Sequence, residues 1–584
     1  MLRAAEGHGE TECRPRANDE RDLHARFSRC GLDIPVKIQE AHHDSVDGLV
    51  THWVKPSSWI RELMRLFPEC LTGGFRNTAN IRFQLRSFWT FYEGYHPTHA
   101  IFSSENRRRL DRVIPLALFG DEGRGPKRGQ FLLWSMESVL GHRDLESPSS
   151  CRCAGELLAF PLVDALGTYD PDIPSSHEFA RAIRQSISLK GHSYITKHLV
   201  FGLPSWMYKK HPEVELKHID LMVSDLQMLG TSGVNVHGEQ WYACVVASKG
   251  DFKHQVAIGN LNRSYNSIGT TYGNLMCSFC KAGAPGYPFE NADYAPIWAR
   301  TLYDERPWAV RPSLMSISYD ESKPEDLLKL DLFHLWKVGL GRDLAGSAVI
   351  IYCRLGFWDI PGEGRDLNDR LGWAHASFKL WCLAGHHCAG LQHFSKAFFN
   401  LKTFADSAWS NSKGSDTMLI NRWLHWFTCL LLQSPTPQSQ PHEQLLRIFR
   451  RVAEHSFEIM DVCYSHGLWL SIPCAKNLYI KLMCLLRGYR RLAYEAVRLQ
   501  MVGWGLKPKY HALHHMAYSL RQQILTGNCL ALNPMAWGNE SNEDTIGKVC
   551  RLARKVDVRT ITRRVLQRYF LKKRALLKRN RKQR

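Results

Sequence analysis

Two acidic residues each follow a stretch of sequence that is typical of a buried strand. The apolar run Val113–Phe119 leads into Asp121, and a second run, Trp241–Ala247, leads into Asp251. Continuous apolar runs of this length favour strands covered on both faces, and the glycines beside both acids let a substrate approach the backbone closely. Because Mg²⁺ prefers oxygen ligands, the pattern predicts a site for Mg²⁺, or for Mn²⁺, at the ends of these strands.

A site that holds two metal ions and transfers phosphoryl groups needs a third carboxylate from a separate element. The candidate is Glu543, which precedes a helical pattern of apolar residues, and its neighbour Asp544 is the weaker choice. Taken singly, an acid after a strand is more often a turn residue than a catalyst. Spacing alone therefore leaves open whether Asp121, Asp251 and Glu543 act together.

A pair of cysteines at metal-binding spacing follows the second acid. Cys277 and Cys280 are separated by two residues, so their thiolates could hold one tetrahedral Zn²⁺ of structural role, which would pin this loop. No second CxxC or HxxxH pattern is expected at conventional spacing. The candidate partners are Cys353, His386, His387, Cys388 and His334. The alternative is that both cysteines are ordinary buried residues.

Histidines in two predicted helices could support the site. His334 follows Asp331 by one turn, and Asp331 could orient it near the metal ions, although a single helix histidine is more often a hydrogen-bonded core residue. His511 and His514 share one helix face next to Lys507 and Lys509. Stabilising and phosphate-contacting roles are equally open for these two histidines.

Positive charge is concentrated at the C-terminal end of the chain. The 584 residues carry a formal net charge of +20, and the segment from Arg551 to Arg584 accounts for +14 of it, with Asp557 as its one acid. Apolar residues recur there every three to four positions, which predicts an amphipathic helix that binds DNA phosphates. The alternatives are a solvated helix end and a nuclear-localisation signal. The predicted DNA contacts are Arg559, Arg563, Arg564, Arg568, Lys572, Lys573, Arg574, Lys578 and Arg579.

Composition and missing motifs exclude several classes of protein. No apolar stretch reaches the roughly 18 residues of a membrane helix, and the N-terminus lacks a secretory h-region, so no membrane partner is expected. The 17 cysteines are too sparse for a disulfide scaffold. Gly-x-Ser-x-Gly, Walker and His-Glu-x-x-His patterns are absent. The basic surplus favours a nucleic-acid-binding protein in the nucleus.

The order of predicted elements indicates an α/β unit followed by a mainly helical region. Helix starts are predicted at Pro56 and Pro441, and Glu325–Val338 also has a helical pattern. The predicted segments are a disordered stretch 1–25, a helical N-terminal segment 26–110, the first part of the core 111–275, a CxxC-containing loop region 276–320, a helical insertion 321–535, the last core helix 536–558 and a basic tail 559–584.

Six short motifs follow one another along the chain. They are Pro115-Leu-Ala-Leu-Phe-Gly-Asp121-Glu-Gly, Lys249-Gly-Asp251-Phe, Met276-Cys277-Ser-Phe-Cys280, Asp331-Leu-Phe-His334, Lys507-Pro-Lys-Tyr-His511-Ala-Leu-His514 and Glu543-Asp-Thr-Ile-Gly547. In type and order the series resembles that of CACTA-type (En/Spm) and related cut-and-paste DNA transposases. The resemblance spans Pro115 to Gly547, and the order of the motifs carries more weight than any one of them.

The resemblance implies a fold and an activity. The fold would be an RNase H-like mixed sheet interrupted by a large helical insertion, which would account for the 292 residues between Asp251 and Glu543. Asp121, Asp251 and Glu543 would form a DDE triad that cleaves and joins DNA strands with Mg²⁺, supported by Asp331 and His334. The partners would be DNA and, in a homo-oligomer, a second copy of the chain. The alternatives are an inactive or domesticated relative that binds DNA or chromatin, and a nuclease acting on RNA or hybrids.

Overall fold

The computed structural model describes residues 19–46, 48–142, 185–187, 192–265 and 276–582. In these ranges the protein is a mixed α/β structure with a large sheet and many helices. The strands of the large sheet are β1 (Ile38–His43), β2 (Leu49–Val54), β3 (Val113–Arg124), β4 (Gln130–Ser138), β5 (Lys197–Pro204), β6 (Val234–Val236) and β7 (Glu239–Lys249). Two short strands, β8 (Trp469–Ser471) and β9 (Leu530–Leu532), pair separately.

The strand order places β3 near the middle of the large sheet. The order is β1-β2-β5-β4-β3-β7-β6, in which β3 and β7 are parallel and the other neighbouring strands are antiparallel. All residues from Val113 to Gly120 of β3 are buried, as expected for a strand covered on both faces. The parallel pairing makes the C-terminal ends of β3 and β7 meet at one edge of the sheet.

The helices surround the sheet and form most of the chain after residue 330. Those of seven or more residues are α1 (Asp19–Arg29), α2 (Pro56–Leu66), α3 (Thr78–Glu93), α4 (Pro212–Thr231), α5 (Phe252–Ile258), a π-helix (Phe333–Leu340), α6 (Gly341–Arg354), α7 (Leu367–Ala384), α8 (Gly414–Gln433), α9 (Glu443–Ser465), α10 (Ile472–Arg498), α11 (Pro508–Leu525), α12 (Glu540–Ala553) and α13 (Ile561–Lys582). Among the described residues, no helix is long and apolar enough to cross a bilayer.

The N-terminal segment differs from the expectation of helices alone. Residues 26–110 contain α2 and α3, but β1 and β2 add two strands to the same sheet through the pairing of Trp53 with Phe201. The expected disordered stretch 1–25 is helical from Asp19 onward, and residues 1–18 lie outside the described ranges. Strand β1 has one charged residue and two histidines among its six residues, and Thr51 and His52 interrupt the apolar residues of β2, so neither sequence shows the apolar alternation that indicates a strand.

Several predicted elements need correction at their ends. The first strand continues through Arg124, so Asp121 lies inside β3 rather than after it. The helix expected over 325–338 is replaced by a short 3₁₀ turn, an extended link and the π-helix. Leu328 in this link forms a parallel bridge with Ser248. The π-helix therefore starts close to the C-terminal end of β7.

The C-terminal segment is part of the folded structure and not a free tail. Helix α13 packs on β2 and β5, and its apolar stripe is buried, including Leu566, Tyr569 and Phe570. The Tyr569 hydroxyl donates a hydrogen bond to the carbonyl of Lys197. The predicted amphipathic helix is confirmed, and its apolar stripe buries one face of the described part of the basic segment against the sheet.

Candidate functional site

The first two predicted acids lie at the C-terminal ends of two adjacent parallel strands, Asp121 within the end of β3 and Asp251 two residues after the end of β7. Phe119 of β3 pairs with Lys249 of β7, so Asp121 and Asp251, each two residues further on, lie at the same edge of the sheet. A Cβ atom on Gly250 would lie only 2.8 Å from the Gly120 carbonyl oxygen. Glycine at this position therefore permits the close approach of the two strand ends.

The third predicted acid reaches the same edge from helix α12, which packs on β3. Glu543 lies in the first turn of this helix, where the helix dipole favours a negative charge. Possible ligand atoms of Asp121, Glu543 and His334 all lie within 4.8 Å of one another. The side chains of His334 and Glu543 are 18% and 35% exposed, so this acidic group opens to solvent and is accessible to a substrate.

The orientation of His334 is set by Asp331. One Asp331 oxygen, Oδ2, accepts from His334 Nδ1 at 2.6 Å, and the other, Oδ1, accepts from the backbone N–H of Asn539 at 3.1 Å. With the Nδ1 proton assigned to this bond, Nε2 faces Glu543 Oε1 at 3.7 Å and is free to bind a metal ion. The π-helix that carries His334 is a kind of helix that recurs at functional sites.

Burial and the short distances between charged groups shift the pKa values of the side chains in the acidic group. Burial, and after it the negative charges of Asp251 and Glu543, raise the pKa of Asp121 to about 8. Burial also raises the pKa of Glu543, against the attraction of His334. For His334, burial alone would lower the pKa, but the hydrogen bond and charge of Asp331 raise it above its ordinary value. A divalent cation would relieve this repulsion, so the donor set fits Mg²⁺ or Mn²⁺.

Asp251 stands slightly apart from the other acids. Its Oδ1 accepts from the backbone N–H of His254 at 2.7 Å and caps helix α5. It is not part of the group whose atoms all lie within 4.8 Å, although its charge acts on Asp121. The structure therefore brings Asp121, Glu543 and His334 together most closely, with Asp251 beside them and Asp331 behind His334.

A buried cluster of charges supports the end of β7. Lys249 Nζ donates to Glu137 Oε1 at 2.5 Å and to the Gly538 carbonyl at 3.0 Å, and Lys197 binds the other Glu137 oxygen. All three side chains are buried, and burial lowers the pKa of Lys249 to about 7. Because Gly538 directly precedes the α12 cap, Lys249 ties the start of α12 to the strand that leads to Asp251.

A second candidate metal group lies in the interior. Cys277, Cys280, His511 and His515 are buried, and one ligand atom from each lies within 4.8 Å of the others. His515 Nε2 is 3.1 Å from Cys277 Sγ and 3.4 Å from Cys280 Sγ, and His511 Nε2 is 3.4 Å from Cys280 Sγ. Two thiolates and two imidazoles in this arrangement match a tetrahedral Zn²⁺ site of the closed, structural kind.

The histidine partners differ from those expected. Among the described residues, Cys353, His386, His387, Cys388 and His334 all lie outside this group. No HxxxH pattern follows the cysteines at conventional spacing, but His511 and His515 form one on α11, much further along the chain. The pattern was missed because 231 residues separate Cys280 from His511, far beyond conventional spacing. A search for His pairs at i, i+4 along the whole chain would have found it.

Backbone groups and an aromatic ring hold this group in place. The N–H of Phe279 donates to Cys277 Sγ at 3.3 Å, and the N–H of Ala282 donates to Cys280 Sγ at 3.4 Å. The ring of Trp298 packs against His515, with centroids 4.3 Å apart. N–H groups pointing at both sulfurs are suited to thiolates, which accept hydrogen bonds and bind metal ions.

The predicted DNA contacts of the C-terminal segment divide by exposure. Lys573 is fully buried, and its ammonium donates to the carbonyls of Tyr194, Ile195 and Lys197, so its predicted DNA contact is wrong in this structure. Arg564 is buried and bonds Gln567. Both side chains are therefore covered by other parts of the protein. The other predicted contacts, Arg559, Arg563, Arg568, Lys572, Arg574, Lys578 and Arg579, are exposed or partly exposed.

Comparison with known proteins adds no family assignment. No protein-family model matches the sequence, and no curated protein matches it.

Proposed function

We propose that the protein is a transposase-like enzyme that cleaves and joins DNA strands at the edge of the sheet formed by β3 and β7. The single observation that carries the proposal is the group of Asp121, Glu543 and His334 within 4.8 Å, next to Asp251, on elements far apart in sequence. Crowding carboxylates together costs electrostatic energy that a bound cation would offset, and this supports a cation site here.

An RNase H-like core is the finer fold proposal. Its support is the order β5-β4-β3-β7, in which an antiparallel set of three strands is extended by a strand parallel to the first of them. The first acid lies on the central strand, the second follows the parallel strand, and the third lies on a helix packed against the central strand. Residues 321–535 would then be the helical insertion that separates the second acid from the third.

The roles of the residues follow from their positions. Bound Mg²⁺ or Mn²⁺ would supply activation of the attacking hydroxyl and stabilisation of the leaving oxygen. Asp121 and Glu543 would provide carboxylate ligands from two directions, and Asp251 would provide a third after releasing its cap bond to His254. His334 Nε2, directed by Asp331, would bind a metal ion or receive a proton at the open side of the group.

Substitution of the acids tests the catalytic proposal. Asp121→Asn and Asp251→Asn should abolish Mg²⁺-dependent nicking of supercoiled plasmid while leaving DNA affinity nearly unchanged. The matched control is Asp544→Asn, since Asp544 neighbours Glu543 but pairs with Lys548 and Ser193. This control should nick DNA at the wild-type rate. Undiminished nicking by both catalytic variants would refute the assignment.

A catalytically inactive DNA-binding relative is the second candidate. The observation that favours it is the engagement of Asp251 as a helix cap, outside the closest acidic group. Under this alternative the wild-type protein binds DNA, but purified protein gives no nicking with Mg²⁺ or Mn²⁺. The same plasmid assay therefore separates the two candidates.

The second group is proposed to hold a structural Zn²⁺. Its ligands would be Cys277, Cys280, His511 and His515, which are all buried, and N–H···S bonds orient the two cysteine sulfurs. The ion would join the loop after the second acid to helix α11, and through it to the helical region that precedes the third acid. Elemental analysis of the purified protein should give about one zinc per chain.

A further inference from the structure

A cleft lined by cations lies next to the acidic group, where β3 turns into β4. It is formed by the loop from Arg124 to Arg128 and by Arg554, Val556 and Val558, and its volume is about 580 Å³. We call it the hairpin cleft. Four of its lining residues carry positive charge, namely Arg124, Lys127, Arg128 and Arg554, and all four side chains are exposed.

The four cations of the hairpin cleft are free to bind an anion. Among the described residues, no carboxylate forms an ion pair with any of them; the guanidinium of Arg554 donates only to the Arg124 carbonyl, at 3.4 Å. Asp557, whose charge interacts with Lys127, is held by Arg559 at 3.2 Å. Four exposed cations around one concave surface attract phosphate groups, and a bound polyanion offsets the repulsion among the four charges.

The loop conformation favours the same conclusion. The Gly129 N–H donates to the Pro126 carbonyl at 2.8 Å, and the two central residues, Lys127 and Arg128, have φ of 48° and 64°. Such a turn normally uses Asn and Gly, because other side chains are strained at positive φ. Two long cationic side chains therefore occupy the tip of the hairpin although the backbone there is strained for residues other than glycine and asparagine.

Strand β3 and helix α12 connect the hairpin cleft to the acidic group. Arg124 follows Asp121 by three residues on the same strand, which places it about 10 Å along β3. Helix α12 carries Glu543, and Arg554 follows its last residue. A Cβ atom on Gly123 would lie 2.3 Å from Ile546 Cγ2, so glycine lets α12 lie directly on β3 between the two sites.

From these observations we infer that the hairpin cleft binds the phosphate backbone of the DNA strand next to the bond that the acidic group cleaves. This inference rests on the proposed function. A separation of about 10 Å corresponds to about three base-pair steps along a DNA duplex. Contacts to phosphates without contacts to bases would set the position of the DNA and would not select its sequence.

Charge reversal in the loop tests the inference. Lys127→Glu/Arg128→Glu should weaken binding of a fluorescent DNA duplex about 10-fold or more and reduce the slope of log affinity against log salt by about 1 to 2, measured with Ca²⁺ in place of Mg²⁺. Plasmid nicking at low protein concentration should fall in parallel and recover at high concentration. The matched control is Lys379→Glu/Arg451→Glu, which makes the same charge change on exposed positions of α7 and α9.

The outcomes separate this inference from the proposed function. If the loop variant and the control bind DNA equally well while wild-type protein still nicks plasmid, the inference is wrong and the proposed function stands. If wild-type protein binds no DNA, both are wrong. Inorganic phosphate should compete with DNA only weakly, even in excess, because the cleft is expected to bind a chain of phosphates. Strong competition by inorganic phosphate at a concentration equal to that of the DNA phosphates would assign the cleft to a free anion and overturn the inference. A circular dichroism spectrum and melting temperature equal to wild type show that the variant is folded.

Discussion

The two candidate metal groups of this protein differ in ligand type and in exposure, two properties that distinguish catalytic from structural metal sites. The acidic group of Asp121, Glu543 and His334 offers mainly oxygen ligands and opens to solvent. The Cys277, Cys280, His511 and His515 group offers sulfur and nitrogen and is buried. An open position and hard ligands suit exchangeable Mg²⁺ and a substrate, whereas a closed tetrahedral set suits a permanent Zn²⁺. The acidic group nevertheless resembles the other in linking distant segments: it connects β3 to helices after residue 330, and the cysteine and histidine group connects the loop at residues 277–280 to α11.

The largest expected effect concerns the acidic group. Glu543→Gln should reduce the rate of Mg²⁺-dependent strand cleavage at least about 1,000-fold, or about 4 kcal/mol in activation free energy, because one metal ligand loses its charge. Zinc content and melting temperature should stay at the wild-type values. If Glu543→Gln keeps its cleavage rate, the acidic group is not the catalytic site. If the variant loses zinc, the two groups are not independent.

A smaller effect, on stability, is expected at the cysteine and histidine group. His515→Ala should remove the zinc and lower the free energy of unfolding by on the order of 3 kcal/mol, because buried ligands lose the ion that joins them. The matched control is His514→Gln, since His514 faces the Asp293 carbonyl at 3.2 Å and is not in the group. The control should keep its zinc, and equal zinc loss in both variants would argue against the assigned ligands.

The smallest effect is a pH dependence of the acidic group. The measurement uses protein freed of Mg²⁺. Burial and the charges of Asp251 and Glu543 raise the pKa of Asp121 from an ordinary value near 3.8 to about 8. A raised carboxyl pKa means that stability present below about pH 4 is lost as the pH rises to about 8. Asp121→Asn should therefore match wild type near pH 4 and exceed it by about 1 to 3 kcal/mol above pH 8, after allowance for solvent screening.

Denaturant unfolding at several pH values measures this difference. Added Mg²⁺ should stabilise wild type above pH 8 and leave Asp121→Asn nearly unchanged, since the ion relieves the repulsion among Asp121, Asp251 and Glu543. A constant difference between the two proteins across the pH range would contradict the electrostatic origin of the effect.

Sequence patterns were reliable where a local cause decides the structure. The apolar runs before Asp121 and Asp251 form β3 and β7, and the Pro at position 56 begins α2 as predicted. The amphipathic pattern after Arg551 also forms a helix. Strand β1, with its polar and histidine-rich sequence, was not predicted, because its conformation depends on pairing with β2 more than on its own residues.

The partners of individual side chains required the folded structure. Lys572 and Lys573 are adjacent cations in sequence, yet one is exposed and the other is buried against three carbonyls, because only one of them faces the sheet. His515 meets Cys277 across 238 residues. Side chains so far apart along the chain leave no local pattern that states which of them will meet.

The sequence by itself determined which residues could do chemistry: the acids beside glycines, the CxxC pair and the concentration of positive charge near the C-terminus. The tertiary structure alone decided that His334 joins Asp121 and Glu543, that α11 supplies two histidines to the cysteines, and that the hairpin cleft opens beside the acidic group. The physical reason is that residue type and local periodicity are encoded position by position, whereas a site is made by distant elements whose packing fixes their distances.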